Sequence, residues 1–262
     1  MRLSIHKPAF IKLAMVFILS AGLSGCWPTG PSPEPENKSS HYVICVDNSR
    51  SLTPVEQEQW KAPPLEVIKR LAAGDAVTIL RLHDNTRSAA IFTRRLRTLP
   101  DGAGHQETTE IHNQWKQVRA AAQAELEDAL APRERSNSTD ILSAFNLISR
   151  EGGQRTVVIF LSDMLHSTDE FDLERSRTSE SGLMKRVSEA LAKRHLRRGA
   201  LQGVKVYCLL NSVGINQARP LNDRNALREF WASVCGFLGA EIMSFDANLS
   251  YDLLTAQTPD RQ

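Results

Sequence analysis

Tyr42-Val43-Ile44-Cys45-Val46-Asp47-Asn48-Ser49-Arg50-Ser51 is an unbroken apolar run, rich in β-branched residues, that ends in a carboxylate followed by hydroxyls at alternate positions. Such a run reads as a strand buried on both faces that delivers polar side chains at its exit. Asp-x-Ser-x-Ser offers one anionic and two neutral oxygens from a single loop. That is a hard-donor set of the kind Mg²⁺ or Mn²⁺ accepts, with waters completing an octahedron. The same letters also make a plain Asx or serine turn, so the rest of the chain has to decide between the two.

The pattern of the first run recurs. Thr156-Val157-Val158-Ile159-Phe160-Leu161-Ser162-Asp163 is a second apolar run ending in a carboxylate. Ala76 to Leu82 and Val204 to Leu210 are further buried strands, and Glu241 to Phe245 is a short last one. Helices are predicted in between. One starts at Thr53-Pro54, breaks at Pro63-Pro64 and resumes through Leu65, Val67, Ile68 and Leu71. Others run from Thr108 to about Leu130, from Ile141 to Ile148, from Gly182 to Arg198 and from about Asp223 to Leu238. In the helix from Thr108 to about Leu130, Ile111, Trp115, Val118, Ala122, Leu126 and Leu130 form one apolar stripe, read as a packing face.

Ser88-Ala89-Ala90-Ile91-Phe92 follows a turn at Asp84-Asn85 that is too short for a crossover helix. It is therefore predicted as an edge strand antiparallel to the second. The alternation as a whole predicts an α/β fold: a doubly wound, mostly parallel open sheet with one antiparallel edge strand and helices on both faces. Ligands of such sheets bind beyond the carboxyl ends of the strands, where the strand order reverses. Asp47 and Asp163 are expected at that end, with Thr139 at a nearby helix start.

Asp47-Asn48-Ser49-Arg50-Ser51, Ser138-Thr139-Asp140 and Leu161-Ser162-Asp163-Met164 follow one another in the order of a known constellation. The chain resembles the von Willebrand factor A (vWA) domain over about residues 41 to 247. In that family a metal-ion-dependent adhesion site (MIDAS) joins Asp-x-Ser-x-Ser after the first strand to a later threonine and to an aspartate after the fourth strand. The resemblance implies that Ser49 and Ser51 bind a cation directly, while Asp47, Thr139 and Asp163 bind directly or through water. It also implies Mg²⁺ or Mn²⁺ as the cation and a protein partner that offers an acidic residue. Two carboxylates and neutral hydroxyls leave a divalent ion under-neutralised, so one more carboxylate oxygen completes it. The sequence departs from the family pattern twice. Met164 stands where a glycine often follows the last aspartate, and Ser136-Asn137-Ser138 replaces a glycine-rich stretch before Thr139.

The second functional reading is a metal-dependent hydrolase or phosphatase of the cell envelope using Asp47, Asp163 and His166. It lacks a convincing proton-transfer group, because a haloacid dehalogenase-type phosphatase needs an aspartate where Ser49 stands, and a loop histidine such as His166 is ordinarily solvated. Lys193, Arg194, His195, Arg197 and Arg198 could meet anionic lipid, but cations at a helix C-terminus complement its dipole without any ligand.

The N-terminus carries its own signal. Arg2, Lys7 and Lys12 precede Leu13-Ala14-Met15-Val16-Phe17-Ile18-Leu19 and then small residues, the anatomy of a secretory signal too short to span a bilayer. Leu23-Ser24-Gly25-Cys26 resembles the lipobox of bacterial lipoproteins, which implies acylation (palmitate or a related chain) at Cys26 and a lipid-anchored place in the bacterial cell envelope. Trp27 stands where an aspartate favours inner-membrane retention in enterobacterial lipoproteins, so the outer membrane or periplasm is expected.

Residues 1–25 are thus read as signal peptide, 26–40 as a lipidated Pro-rich tether, 41–250 as a vWA-like domain with an insertion at 94–138, and 251–262 as a C-terminal tail. The tether's prolines favour polyproline II, at ~3.1 Å per residue a reach of up to about 40 Å. The signal holds three of the 32 Lys and Arg and none of the 30 Asp and Glu, which leaves 29 basic against 30 acidic residues. That balance gives no basis for nucleic-acid binding. Cys45, Cys208 and Cys235 remain, without a Cys-x-x-Cys or a cysteine-histidine cluster, so no zinc or redox site is expected. Cys45 at least is read as a small buried hydrophobe.

Overall fold

The computed structural model describes residues 39–48, 54–84, 86, 91–131, 136–150, 155–173, 182–210 and 221–246. Cys26, Ser49, Ser51, the signal, the tether through residue 38 and the tail lie outside the described residues. The elements in chain order are β1 (Ser40–Asp47), α1 (Pro54–Gln59), α2 (Ala62–Lys69), β2 (Ala76–Leu82), β3 (Ile91–Arg95), α3 (His105–Leu130), α4 (Ile141–Arg150), β4 (Arg155–Leu161), α5 (Leu183–Lys193), β5 (Lys205–Leu209), α6 (Leu221–Leu238) and β6 (Glu241–Asp246).

The six strands form one sheet in the order β3-β2-β1-β4-β5-β6. Every neighbouring pair is parallel except β2 with β3, which is antiparallel at the edge. This is a doubly wound, Rossmann-like α/β fold. From β1 the chain first builds outward through β2 and β3, then returns to place β4 on the other side of β1. The strand order therefore reverses between β1 and β4, and the crevice beyond their carboxyl ends is the expected ligand position.

The pleat sends successive side chains to opposite layers. Ile44, Val46, Ile79, Ile159 and Leu161 pack with Val67 and Ile68 of α2 and with Val118, Ala122 and Leu126 of α3. Val43, Cys45, Leu80, Val158 and Phe160 pack on the other face with Ile141, Leu142 and Phe145 of α4, Val187 and Leu191 of α5, and Trp231 and Val234 of α6. Both faces are covered, which is why the central strands read as unbroken apolar runs. Most of segment 94–138 is α3, whose apolar stripe covers the sheet, and truncating a fully buried member such as Leu126 to Ala would cost about 2–5 kcal/mol.

Some boundaries differ from the sequence expectation for local reasons. The edge strand is Ile91–Arg95, paired Ile91 with Leu80 and Arg95 with Ala76, so it continues past Phe92 into polar residues. Only one of its faces meets the core, and residues 88–90 lie outside the described residues. The polar residues His105 to Glu107 begin α3, because Gly104 takes the cap position without a side-chain cap to advertise it. The expected helix break falls at Trp60-Lys61, just before the proline pair. Pro63 and Pro64 sit in the first turn of α2, where their missing N–H groups cost nothing. The helix read as 182–198 ends at Lys193, and His195 turns the chain away at φ 57°. Cys45, Cys208 and Cys235 are all buried free thiols, and burial raises the pKa of each, that of Cys235 to about 12. Among the described residues no helix is long and apolar enough to cross a membrane.

Candidate metal centre

Asp47 is the last residue of β1 and is only 1% exposed. Parallel pairing sets Val46 of β1 beside Leu161 of β4, so the chain leaving β4 carries Ser162 to the level of Asp47. Ser162 Oγ donates to Asp47 Oδ2 at 2.7 Å, and Thr139 Oγ1 donates to Asp47 Oδ1 at 3.3 Å. A buried carboxylate at the switch point thus receives a hydroxyl on each of its oxygens, from two segments that are distant in sequence. Asp163, 8% exposed, follows directly, and its Oδ1 accepts the backbone N–H of Leu165 at 2.9 Å.

The two segments are tied together by backbone. Thr139 N–H donates to Ser167 O at 3.1 Å, and Ser167 N–H donates back to Thr139 O at 3.0 Å. The loop before Thr139 is fixed to the neighbouring strand ends, since Ser136 N–H donates to Asn48 O, Asp140 N–H to His83 O and Asp84 N–H to Ser136 Oγ. Ser136 Oγ also accepts the N–H of Ser138. A serine therefore braces this loop. Asp140 caps α4, its Oδ1 accepting Ser143 N–H at 3.0 Å.

Met164 adopts φ 61°, a left-handed backbone that side chains other than glycine occupy at a cost of about 1–2 kcal/mol. This backbone angle gives a physical reason for the glycine often found at that position. Here the side chain is retained and buried in the core, the N–H donates to Ser162 Oγ at 2.9 Å, and the carbonyl accepts Trp231 Nε1–H at 2.9 Å. The departure at Met164 is thus packed rather than loose.

His166 corrects the reading of a solvated loop histidine. It is 0% exposed and stacks on Phe171 with ring centroids 4.2 Å apart. Its Nδ1 accepts the first N–H of α4, from Ile141, at 3.1 Å, and Nε2 lies 3.1 Å from Thr168 Oγ1. With Nδ1 accepting, the proton sits on Nε2 and Thr168 receives it. Burial drives the His166 pKa down to about 4, so the imidazole is neutral at neutral pH.

The basic cluster after α5 divides in the same way. Arg194, 5% exposed, pairs with Asp140 and Glu170 and also donates to Ala190 O in the last turn of α5. Burial works against its charge, but the bonds to Glu170 and Asp140 outweigh that and raise its pKa.

Ser162, which the sequence reading gave no role, and His166 and Arg194, which it weighed in other roles, contribute to the site through the contacts just described. Only Ser162 left a signal, being the residue that parallel register sets opposite Asp47. Asp47 and Thr139 are in contact, and Asp163 leaves the adjacent strand, while Ser49 and Ser51 lie outside the described residues. Carboxylates and hydroxyls make an all-oxygen donor set, which fits a hard divalent cation and not a soft one. Among the described residues no group of three or more His, Cys, Asp or Glu could hold a metal ion. A cation here would accordingly rely on hydroxyls as well as on the two carboxylates.

No protein-family model and no curated protein matches the chain. Among solved structures it is similar to a von Willebrand factor type A protein from Catenulispora acidiphila, at 15% identity and a TM-score of 0.39. The alignment covers 84% of this chain and 41% of that one, so the chain spans less than half of that protein's length. The fold class accordingly rests on the strand order and pairing described above.

Proposed function

We propose that the domain is a protein-binding module that grips an acidic residue of its partner through a divalent cation. The observation that carries this reading is the convergence of Thr139 and Ser162 hydroxyls on the buried Asp47 carboxylate at the switch point, with Asp163 leaving the next strand. Asp47, Thr139 and Asp163, with Ser49 and Ser51 from the loop after Asp47, would hold Mg²⁺ or Mn²⁺. Bound there, the cation would supply a Lewis-acid position for one further carboxylate oxygen. The chain's own residues hold the donors in place and exclude water from Asp47. Fold analogy to vWA domains supports an interaction module, as an analogy only. We further read Cys26 as the acylated anchor of a cell-envelope lipoprotein. Mass spectrometry of the mature N-terminus tests this, with an unacylated Cys26 ruling it out.

The hydrolase reading loses its proposed base, because His166 is enclosed and its Nδ1 is committed to the Ile141 N–H. The deciding experiment is a pull-down from envelope extracts with and without chelator, repeated with Asp163→Ala. Chelation and the substitution should each release the partner. A partner retained equally in all conditions ends the metal-bridge reading, and metal-dependent turnover of a phosphoester or peptide replaces it with the hydrolase.

A further inference from the structure

We infer that Arg194 is a positioning residue for this centre: one guanidinium that holds the Thr139 segment and the Asp163 segment in fixed relation through a carboxylate on each. The inference rests on the metal-centre reading and identifies what keeps the two halves of the site together.

Arg194 follows the last residue of α5, and its side chain runs under both segments. Nη2 donates to Asp140 Oδ1 at 3.1 Å and to Oδ2 at 3.0 Å. Nη1 donates to Glu170 and, at 3.2 Å, to Ala190 O, and Nε donates to Ser143 Oγ at 3.1 Å. Asp140 is the neighbour of Thr139. Glu170 belongs to the stretch, residues 162–173, that begins with Ser162 and Asp163. The paired backbone bonds between Thr139 and Ser167 lie between these two points of attachment. The arginine backbone is itself anchored, its carbonyl accepting Asn146 Nδ2 of α4.

Chemistry selects arginine for this task. A planar fork presents donors in two fixed directions, so it can serve two carboxylates at once and define their separation, whereas a lysine ammonium is a single flexible point charge. Burying three charges in one network is a poor way to gain stability, because the desolvation cost consumes most of the attraction. What the network does supply is a second defined relation between segments that are also joined by the Thr139–Ser167 backbone pair and by the Ile141 N–H to His166 bond. Arg194 acts through Asp140 and Glu170, so its effect on a cation is one of ligand placement. Loss of a group that orients ligands typically weakens metal affinity roughly 10–100-fold.

The test uses the whole domain as wild type, Arg194→Lys, Glu170→Gln and the double variant. Mg²⁺ and Mn²⁺ affinity is measured by calorimetry, thermal unfolding by circular dichroism, and backbone hydrogen exchange residue by residue. Arg194→Lys and Glu170→Gln are each expected to weaken cation affinity roughly tenfold. The double variant should lose little more, since both changes break one device. Exchange at the Thr139 and Ser167 amides should accelerate in every variant while Ile44 and Ile159 stay protected.

A lowered melting temperature with unchanged affinity and unchanged exchange at Thr139 and Ser167 would overturn the inference and leave Arg194 merely structural. Glu170→Gln keeps the Arg194–Asp140 pair and carries the test if Arg194→Lys does not fold. Wild-type protein that takes up neither cation would end the metal-centre reading, while the exchange measurement still decides whether Arg194 fixes the two segments.

Discussion

Ser162 Oγ donates to Asp47 Oδ2 at 2.7 Å, joining residues 115 positions apart across the point where the strand order reverses. The same hydroxyl accepts the Met164 N–H, so one serine both orients the carboxylate and fixes the loop that follows Asp163. With Thr139 on its other oxygen, the Asp47 carboxylate is held in one orientation, and such preorganisation would lower the cost of binding a cation there.

Ser162→Ala removes a donor from a buried carboxylate and an acceptor from a buried N–H. The expected cost is about 1–3 kcal/mol, a fall of several degrees in melting temperature for a domain of this size. Cation affinity should weaken roughly tenfold, because the oriented ligand loses its orienter. Thermal melts and titration calorimetry on the same preparation check both, and equal affinity in the two proteins would show that Ser162 does not position Asp47.

Asp47 and Asp163 separate binding from folding. Asp47→Asn keeps the shape and lets both hydroxyls keep partners, so stability should stay within about 1 kcal/mol while cation uptake is lost with the charge. Asp47→Ala leaves two buried hydroxyls to find new partners, and about 1–3 kcal/mol should go as well. Asp163→Ala should abolish uptake at a smaller cost in stability, since Asp163 is the more exposed of the two. Calorimetric uptake by Asp47→Asn indistinguishable from wild type would mean that the cation binds elsewhere.

His166 makes stability depend on pH. Its folded pKa of about 4 lies below the unfolded value of 6.5, so between them the unfolded chain holds more protons. This contribution is therefore fully present above pH 6.5 and is lost as pH falls toward 4, reaching about 3 kcal/mol. His166→Asn offers a side-chain oxygen to the Ile141 N–H and cannot charge. Denaturant unfolding of both proteins from pH 7.5 to 4.5 should show this slope in wild type alone.

Met164→Gly sets two effects against each other. Relief of the left-handed backbone gains about 1–2 kcal/mol, whereas emptying a buried methionine site costs about 2–5 kcal/mol. The cavity wins, and the variant should be less stable by about 1–3 kcal/mol. A variant more stable than wild type in denaturant titration would mean that the backbone strain outweighs the packing.

The parallel core was legible because strands covered on both faces must be apolar throughout, and Val43 to Val46 and Val157 to Leu161 are. The positions of Asp47 and Asp163 were legible because each ends an apolar run at the same end of the sheet, and that of Thr139 because it stands just before the apolar pattern of α4. The edge strand was read short, since Thr93, Arg94 and Arg95 pair through backbone with little burial to mark them. His166 and Arg194 take their roles from partners 25 and 54 residues away, and composition near them carries no trace of that pairing. His166 looked like any loop histidine until Phe171 and the Ile141 N–H enclosed it.

Because β1 alone runs from the chain's entry at Ser40 to Asp47, it is also the line along which a load would travel. Its eight residues hydrogen-bond to β2 on one side and β4 on the other, both parallel to it. A pull at Ser40 resisted by the neighbouring strands would act along the strand axis and shear both ladders at once, rather than opening one bond after another. Forced extraction is governed by the unfolding rate, and here that rate requires many bonds to yield together. A sheet built this way keeps β1, and the Asp47 carboxylate at its end, in place against tension applied at Ser40.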